Sequence, residues 1–243
     1  MTHPAVRFEQ VKKNYGRQAV LRGIDLDIAP GMAFGLAGIN GAGKTTLLKC
    51  LLDFCHLDSG RIEIFGTAHT DSRARARLAF LPERFMPPYF LTGRDFLAYM
   101  IRLDGREYNE AKVRAMFAAL DLEIEALAKP VRSYSKGMTQ KLGLAACLLA
   151  ETDLLILDEP MSGLDPLARA RVKQLLRQMH DQGRTLLLTS HALSDVEEIC
   201  GRVVVLHRGE LRFSGSPREL MQTYAPDSME QAFLNCIEGR ANG

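Results

Sequence analysis

The chain has 243 residues, 47% hydrophobic and 25% charged, enough for one large α/β domain or a domain with an insertion, and for a real core. That composition excludes disorder as the main state, and a formal net charge of +2 calls for no nucleic-acid partner. The longest apolar run, "LGLAACLLA" from Leu142, falls far short of the ~18 residues a membrane span needs.

The start, "MTHPAVRFEQ", has neither a basic flank nor an apolar stretch, so a cytoplasmic chain without a secretory signal is expected. The first thirty residues read as antiparallel β, with Ile24, Leu26 and Ile28 alternating with Asp25 and Asp27. Pro30 and Gly31 turn the chain into "MAFGLAG", an apolar run suited to a strand buried on both faces. After the loop "GINGAGKTT", the stretch "KTTLLKCLLDF" reads as a helix. "RIEIFG" is an alternating strand, and "LAFLPE" an apolar one ending at Pro82. From about Pro87 to Ala150 three stretches have helical period, with no convincing strand between them. The buried-strand pattern then returns as "DLLILDEP", "TLLLTSH" and "RVVVLH". Between the first two, Asp165 can cap a helix, Pro166 suits its first position and Gly183 can end it. The end reads as two short helices and a polar tail.

Strand–helix alternation on both sides of an all-helical stretch implies an α/β chain with a mostly parallel sheet, an N-terminal antiparallel portion and an inserted helical subdomain. The expected boundaries are residues 1–220 for the main domain, about 87–150 for the insert and 221–243 for a C-terminal tail.

Cys50, Cys55, Cys147, Cys200 and Cys236 form no C-x-x-C pair and read as small buried hydrophobes in a reducing compartment. The six histidines show no metal-ligand spacing, so no structural metal is expected. "DSRARAR" from Asp71 reads as a solvated basic helix face.

Two stretches carry chemistry. "GINGAGKTT" matches G-x-x-x-x-G-K-[ST] between an apolar strand and a helix, the context that gives this motif its meaning. Its glycines let backbone N–H groups approach phosphate oxygens, Lys44 adds a point charge and Thr45 a hydroxyl for Mg²⁺. "LLILDEP" puts the Asp158 carboxylate at the C-terminal end of a buried strand, where ligands of parallel sheets sit. Asp158 can hold Mg²⁺ through water, and Glu159 can orient or deprotonate an attacking water.

"GINGAGKTT", "SYSKGMTQ", "LLILDEP", "SGLDP" and "TSH", in this order and spacing, resemble the motifs of ATP-binding cassette (ABC) ATPases, and the resemblance runs from Tyr15 to about Gly215. It implies a P-loop NTPase core, ATP and Mg²⁺ as cofactors, and a head-to-tail dimer clamping two ATP molecules. The phosphate cradle would be Gly38, Ile39, Asn40, Gly41, Ala42, Gly43, Lys44, Thr45 and Thr46. Ser135, Lys136 and Gly137 occupy the positions of the signature that completes the opposite protomer's ATP site, where Lys136 can serve as an added positive charge or as a solvent-facing lysine at the helix start. Ser135 can also cap its helix, and Gly137 allows close approach to an anion at that helix start. Tyr134, Lys136 and Met138 depart from the family's LSGGQ pattern, in a variant similar to those of export-type cassettes. Tyr15 matches the aromatic that stacks on adenine, His191 the γ-phosphate-sensing histidine, and Asp165 the residue coupling the two sites. Glu83 stands where the family usually has Gln and still offers Mg²⁺ an oxygen.

The resemblance implies the ATP-hydrolysing subunit of a transporter, expected to power export through an integral membrane permease from the cytoplasmic face of the membrane. It would act as a homodimer or with a related ATPase subunit. The alternative is a soluble cassette ATPase acting on ribosomes or DNA. The DNA-acting type inserts a long coiled coil that the Lys44-to-Asp158 spacing leaves no room for, and the ribosome-acting type usually carries two cassettes per chain. A small GTPase or kinase lacks support because no N-K-x-D motif is present.

Overall fold

The computed structural model describes residues 3–240. The elements in chain order are β1 (Val6–Tyr15), β2 (Gln18–Ile28), β3 (Ala33–Ala37), α1 (Lys44–Leu51), β4 (Ser59–Ile64), β5 (Thr67–Ala68), α2 (Ser72–Arg75) and β6 (Leu78–Leu81). There follow α3 (Gly93–Leu103), α4 (Glu110–Ala119), two short 3₁₀ turns and α5 (Lys136–Leu149). The chain then forms β7 (Leu154–Asp158), α6 (Pro166–Asp181), β8 (Thr185–Thr189), α7 (Leu193–Ile199), β9 (Arg202–His207), β10 (Glu210–Gly215), α8 (Pro217–Tyr224) and α9 (Met229–Glu238).

Two sheets result. The antiparallel one has the order β2-β1-β4-β5, and the larger one the order β10-β9-β3-β8-β7-β6. In the larger sheet every pairing is parallel except β10 with β9. This is the α/β architecture with a mostly parallel sheet and an antiparallel N-terminal portion that the strand pattern predicts.

The wholly apolar strands still obey the two-residue period of a pleat. Leu155, Leu157, Leu186, Leu188, Val203 and Val205 join one core, shared with the helices α3 to α7 and α9. Leu154, Ile156, Leu187, Val204 and Leu206 join the other, shared with α1 and the antiparallel sheet. Each such side chain contributes about 1.5–3 kcal/mol by leaving water, which is why a sheet covered on both faces dispenses with polar alternation.

Between β6 and β7, α5 lies on the sheet, and α3 and α4 pack on α5 with Phe96, Leu97, Val113 and Phe117 buried. Phe85, just past β6, meets Phe96 of α3 edge-on at 5.7 Å, and a Cβ on Gly143 of α5 would come within 2.8 Å of its ring. At the other end α8 runs across residue 220, and α9 packs on α8, α7 and β9. Residues 241–243 of the expected tail lie outside the described residues. Among the described residues no helix is long and apolar enough to cross a membrane.

The run from Asp71 is largely the solvated face its composition suggests, with Arg73 85% exposed, and its arginines also pair locally. Arg73 pairs with Asp71, the cap of the four-residue α2. Arg75 reaches Asp53 and the His69 carbonyl, while Arg77 pairs with Asp153 and lies 3.7 Å over the Phe65 ring.

Candidate functional site

β3 runs directly into the glycine loop, and α1 begins at the loop's far end with Gly43 as a cap that offers no side-chain hydrogen bond. The helix start therefore keeps its backbone donors for something other than the protein's own side chains. A Cβ on Gly41 would meet nothing within 4 Å, so the demand for glycine there is conformational, at φ +79°. The loop is held from behind by the Arg208–Gly209 turn between β9 and β10. The Gly209 N–H donates to the Ala42 carbonyl at 3.0 Å, and a Cβ on Gly209 would sit 2.3 Å from the Val20 carbonyl oxygen.

The loop forms the floor of a cleft of about 260 Å³. Its other walls are Tyr15, Gln18 and Val20 from the first hairpin, Glu83 past the end of β6, Asp158 and Glu159 at the end of β7, and His191 past the end of β8. Parallel strands bring their carboxyl ends to one edge, so residues far apart in sequence converge there. The fold thus brings together Tyr15, the loop from Ile39 to Thr46, Glu83, Asp158, Glu159 and His191.

Lys44 is buried, and its ammonium donates to the Gly38 carbonyl and, at 3.4 Å, to that of Ile39. Burial lowers its pKa, opposed by the charges of Glu159, Asp158 and Glu83. Burial raises the Asp158 carboxyl, partly offset by a hydrogen bond from the Thr189 hydroxyl. It also raises Glu159, where His191 works the other way with Nε2 3.6 Å from Oε1. Raised carboxylates give stability at acid pH that is lost as pH rises through their folded values, so near neutrality these two oppose folding. Glu159 also sits at φ +51°, a strained conformation for a branchless acidic residue, and its Oε1 is buried with no hydrogen-bond partner. Such a pocket concentrates unpaid electrostatic cost that a polyphosphate–cation pair would relieve.

The oxygens of Thr45, Glu83 and Asp158 suit a hard divalent cation such as Mg²⁺. Among the described residues no group of three or more His, Cys, Asp or Glu side chains is arranged to cage a metal.

Ser135, Lys136 and Gly137 do not line this cleft. Ser135 caps α5, accepting from the Met138 N–H at 3.2 Å. The Lys136 stem, for which the sequence left a site charge and a solvated face both open, lies over Gly163 of "SGLDP"; a Cβ there would meet its Cε at 2.9 Å. Asp165 also stays outside the cleft and caps α6, accepting from Ala168 at 2.9 Å, which lowers its pKa.

Four contributors have no role assigned from the sequence, although Thr189 and Gln140 lie within the quoted "TSH" and "SYSKGMTQ" stretches. Gln18 and Val20 line the cleft. Thr189 accepts from the Glu159 N–H at 3.0 Å while donating to Asp158, so one hydroxyl orients both acidic residues. Gln140 of α5 donates to the carbonyls of Glu159 and Pro160, at 3.3 and 3.0 Å.

A glycine loop at the mouth of a parallel sheet, faced by strand-end acids, defines a P-loop NTPase fold. Residues 21–162 match the ABC transporter family, and the chain belongs to it. It is 41% identical over 204 residues to an uncharacterized ABC transporter ATP-binding protein of Synechocystis sp., covering 83% of this chain but 58% of that one. It is 37% identical to the Nod factor export ATP-binding protein I of Paraburkholderia xenovorans, covering 91% and 74% of the two chains. A solved structure of the ATP binding subunit of an ABC transporter superposes with a TM-score of 0.87 at 27% identity, covering 96% of this chain and 99% of the other.

Proposed function

We propose that the chain binds and hydrolyses ATP, to ADP and phosphate, as the nucleotide-binding subunit of a transporter that drives export through a separate membrane-spanning partner. The observation that carries this reading is the meeting of the glycine loop, the Asp158–Glu159 pair, Glu83, His191 and Tyr15 in one cleft.

In this reading the loop from Gly38 to Thr46 cradles the phosphates and Lys44 meets the β- and γ-phosphates. Tyr15, half exposed, offers a ring to adenine. Thr45, Asp158 and Glu83 would hold Mg²⁺, which neutralises charge on the phosphates. Glu159 takes a proton from the attacking water, and its raised proton affinity suits it to that exchange. His191 lies beside Glu159 where the γ-phosphate would end. Residues 1–220 are read as the ATPase domain, with a helical subdomain at about 87–150 and a tail from 221.

Ser135, Lys136 and Gly137 sit outside this cleft, which supports a second protomer, identical or related, as the place where they act. Asp165, reached from them through Gly163, would couple the two sites. A mixed-dimer experiment tests this. Lys44→Ala spoils the cradle, and Gly137→Asp adds bulk and negative charge where a γ-phosphate would approach. In a composite dimer of the two, one site carries both lesions and the other neither. Mixing the two inactive proteins is expected to restore capture of a fluorescent ATP analogue at one site per dimer. With subunit exchange demonstrated by differential tags, capture no greater than the sum of the parts would sink the composite site.

Export is favoured because the Paraburkholderia relative is named for it. A tagged chain is expected at the cytoplasmic face of the membrane, co-purifying with a protein that has several membrane-length helices. Recovery with ribosomes or DNA instead would return the reading to the soluble alternative.

A further inference from the structure

The thiols of Cys50 and Cys55 lie 3.4 Å apart, Sγ to Sγ, and take no part in the chemistry above. On a continuing helix, residues five apart point to different faces and would not meet. Here the helix stops between them. Asp53 takes φ +60°, and the Phe54 N–H donates back to the Lys49 carbonyl at 2.8 Å, so the chain folds over the end of α1 and returns Cys55 to Cys50. No other pair of thiols approaches in this way among the described residues.

The two sulfurs differ in access. Cys50, in the last turn of α1, is fully buried, and burial pushes its thiol up to about 12. Cys55 is only half buried, so an oxidant in solution reaches it first. A disulfide needs the sulfurs about 2.05 Å apart, which a side-chain rotation of the more open Cys55 can supply. Asp58, three residues past Cys55, accepts from the Asn14 N–H at 2.6 Å, so the segment that carries Cys55 is tied to the strand next to Tyr15 of the cleft wall.

We propose that Cys50 and Cys55 are a modification site, closing to a reversible disulfide under a peroxide and thereby weakening nucleotide binding through Tyr15. The Cys55 sulfur attacks one peroxide oxygen, and the O–O bond breaks. Cys55 becomes a sulfenic acid, and the departing hydroxide takes the thiol proton as water. The Cys50 sulfur then attacks the Cys55 sulfur, the S–O bond breaks, and the Cys50 proton leaves with that hydroxide as a second water. Two thiols lose two electrons and the peroxide is reduced to two waters. A dithiol reductant reverses the bond by exchange. Drawing Cys55 toward α1 pulls on the Asp58–Asn14 hydrogen bond and, through it, on the neighbouring Tyr15.

The affinity arm of this proposal rests on the assignment of the cleft to nucleotide, and the covalent arm does not. Both cysteines fall in one tryptic peptide, Cys50 to Arg61. After hydrogen peroxide treatment of the full chain and digestion without reductant, that peptide is expected to lose the mass of two hydrogens. Dithiothreitol should restore it. Closure should also weaken binding of a fluorescent ATP analogue several-fold. Cys55→Ser, measured alongside, should keep its affinity with and without peroxide. Oxidation of Cys55 to the sulfinic acid without closure, or a closed peptide with unchanged affinity, would overturn the proposal. If neither form binds the analogue, the nucleotide assignment has failed instead, and the peptide mass still decides whether the thiols pair.

Discussion

Glu159→Gln is expected to leave ATP binding intact and to reduce turnover by about 10²–10⁴-fold. The amide keeps the size of the side chain, and the backbone N–H still donates to Thr189. The Oε1 position has no hydrogen-bond partner to lose, so the exchange costs the fold little. What disappears is the group able to take a proton from water. An interaction needed only on the way to the transition state lowers turnover without lowering affinity. Stalled protein should accumulate as an ATP-bound dimer, seen by size-exclusion chromatography with light scattering. Undiminished phosphate release would move the proton acceptor elsewhere, and His191, 3.6 Å away, would be the first residue to replace.

Lys44→Ala should act one step earlier. Charge-assisted hydrogen bonds are each worth about 1.5–3 kcal/mol, so losing the ammonium should weaken ATP binding by about a hundredfold or more. The opposing effect is on stability. Lys44 is charged and buried, and burial lowers its pKa, so removing it also removes a desolvation cost. The buried Gly38 carbonyl loses its donor, which offsets that gain, while Ile39 is exposed and can turn to water. The thermal midpoint without nucleotide should therefore change little, while the upward shift on adding ATP should vanish. Equal affinity of the two proteins by titration would refute the phosphate-cradle assignment of the loop.

The two predictions draw on parts of the site that were unequally legible. The loop and the Asp158–Glu159 pair announce themselves because each is a short contiguous pattern at a strand end, and the parallel sheet does the rest. Thr189 and Gln140 stand within the "TSH" and "SYSKGMTQ" stretches, but they act across gaps of 30 and 19 residues, to Glu159, and nothing local shows which partner they will reach. β10 was passed over for a related reason. Its hairpin turns on Arg208 at φ +50° and Gly209, and arginine is a poor advertisement for a turn that needs left-handed backbone at both central positions. The fold accepts it because Gly209 must press against Val20 and Ala42. Lys136 was ambiguous since a charged head and a long apolar stem give opposite expectations, and the stem found Gly163. The cysteines were read as inert filler from their apolar neighbours. That reading holds for Cys147, Cys200 and Cys236, which are buried, but sequence distance hid the return of Cys55 onto Cys50.

Phe85 gives the Glu83 loop a mechanical meaning. The carboxylate faces the cleft, and two residues later the ring is wedged between α3 and α5. Two residues of chain span at most about 7 Å, so the cleft wall and the packed ring are close neighbours along the backbone. A displacement at Glu83 has only Arg84 to pass through before it meets the packed ring of Phe85. Interdigitated rings resist sliding and transmit strain, because close-packed interiors have little room to yield. The helical insert thereby meets the Glu83 side of the cleft through a segment two residues long.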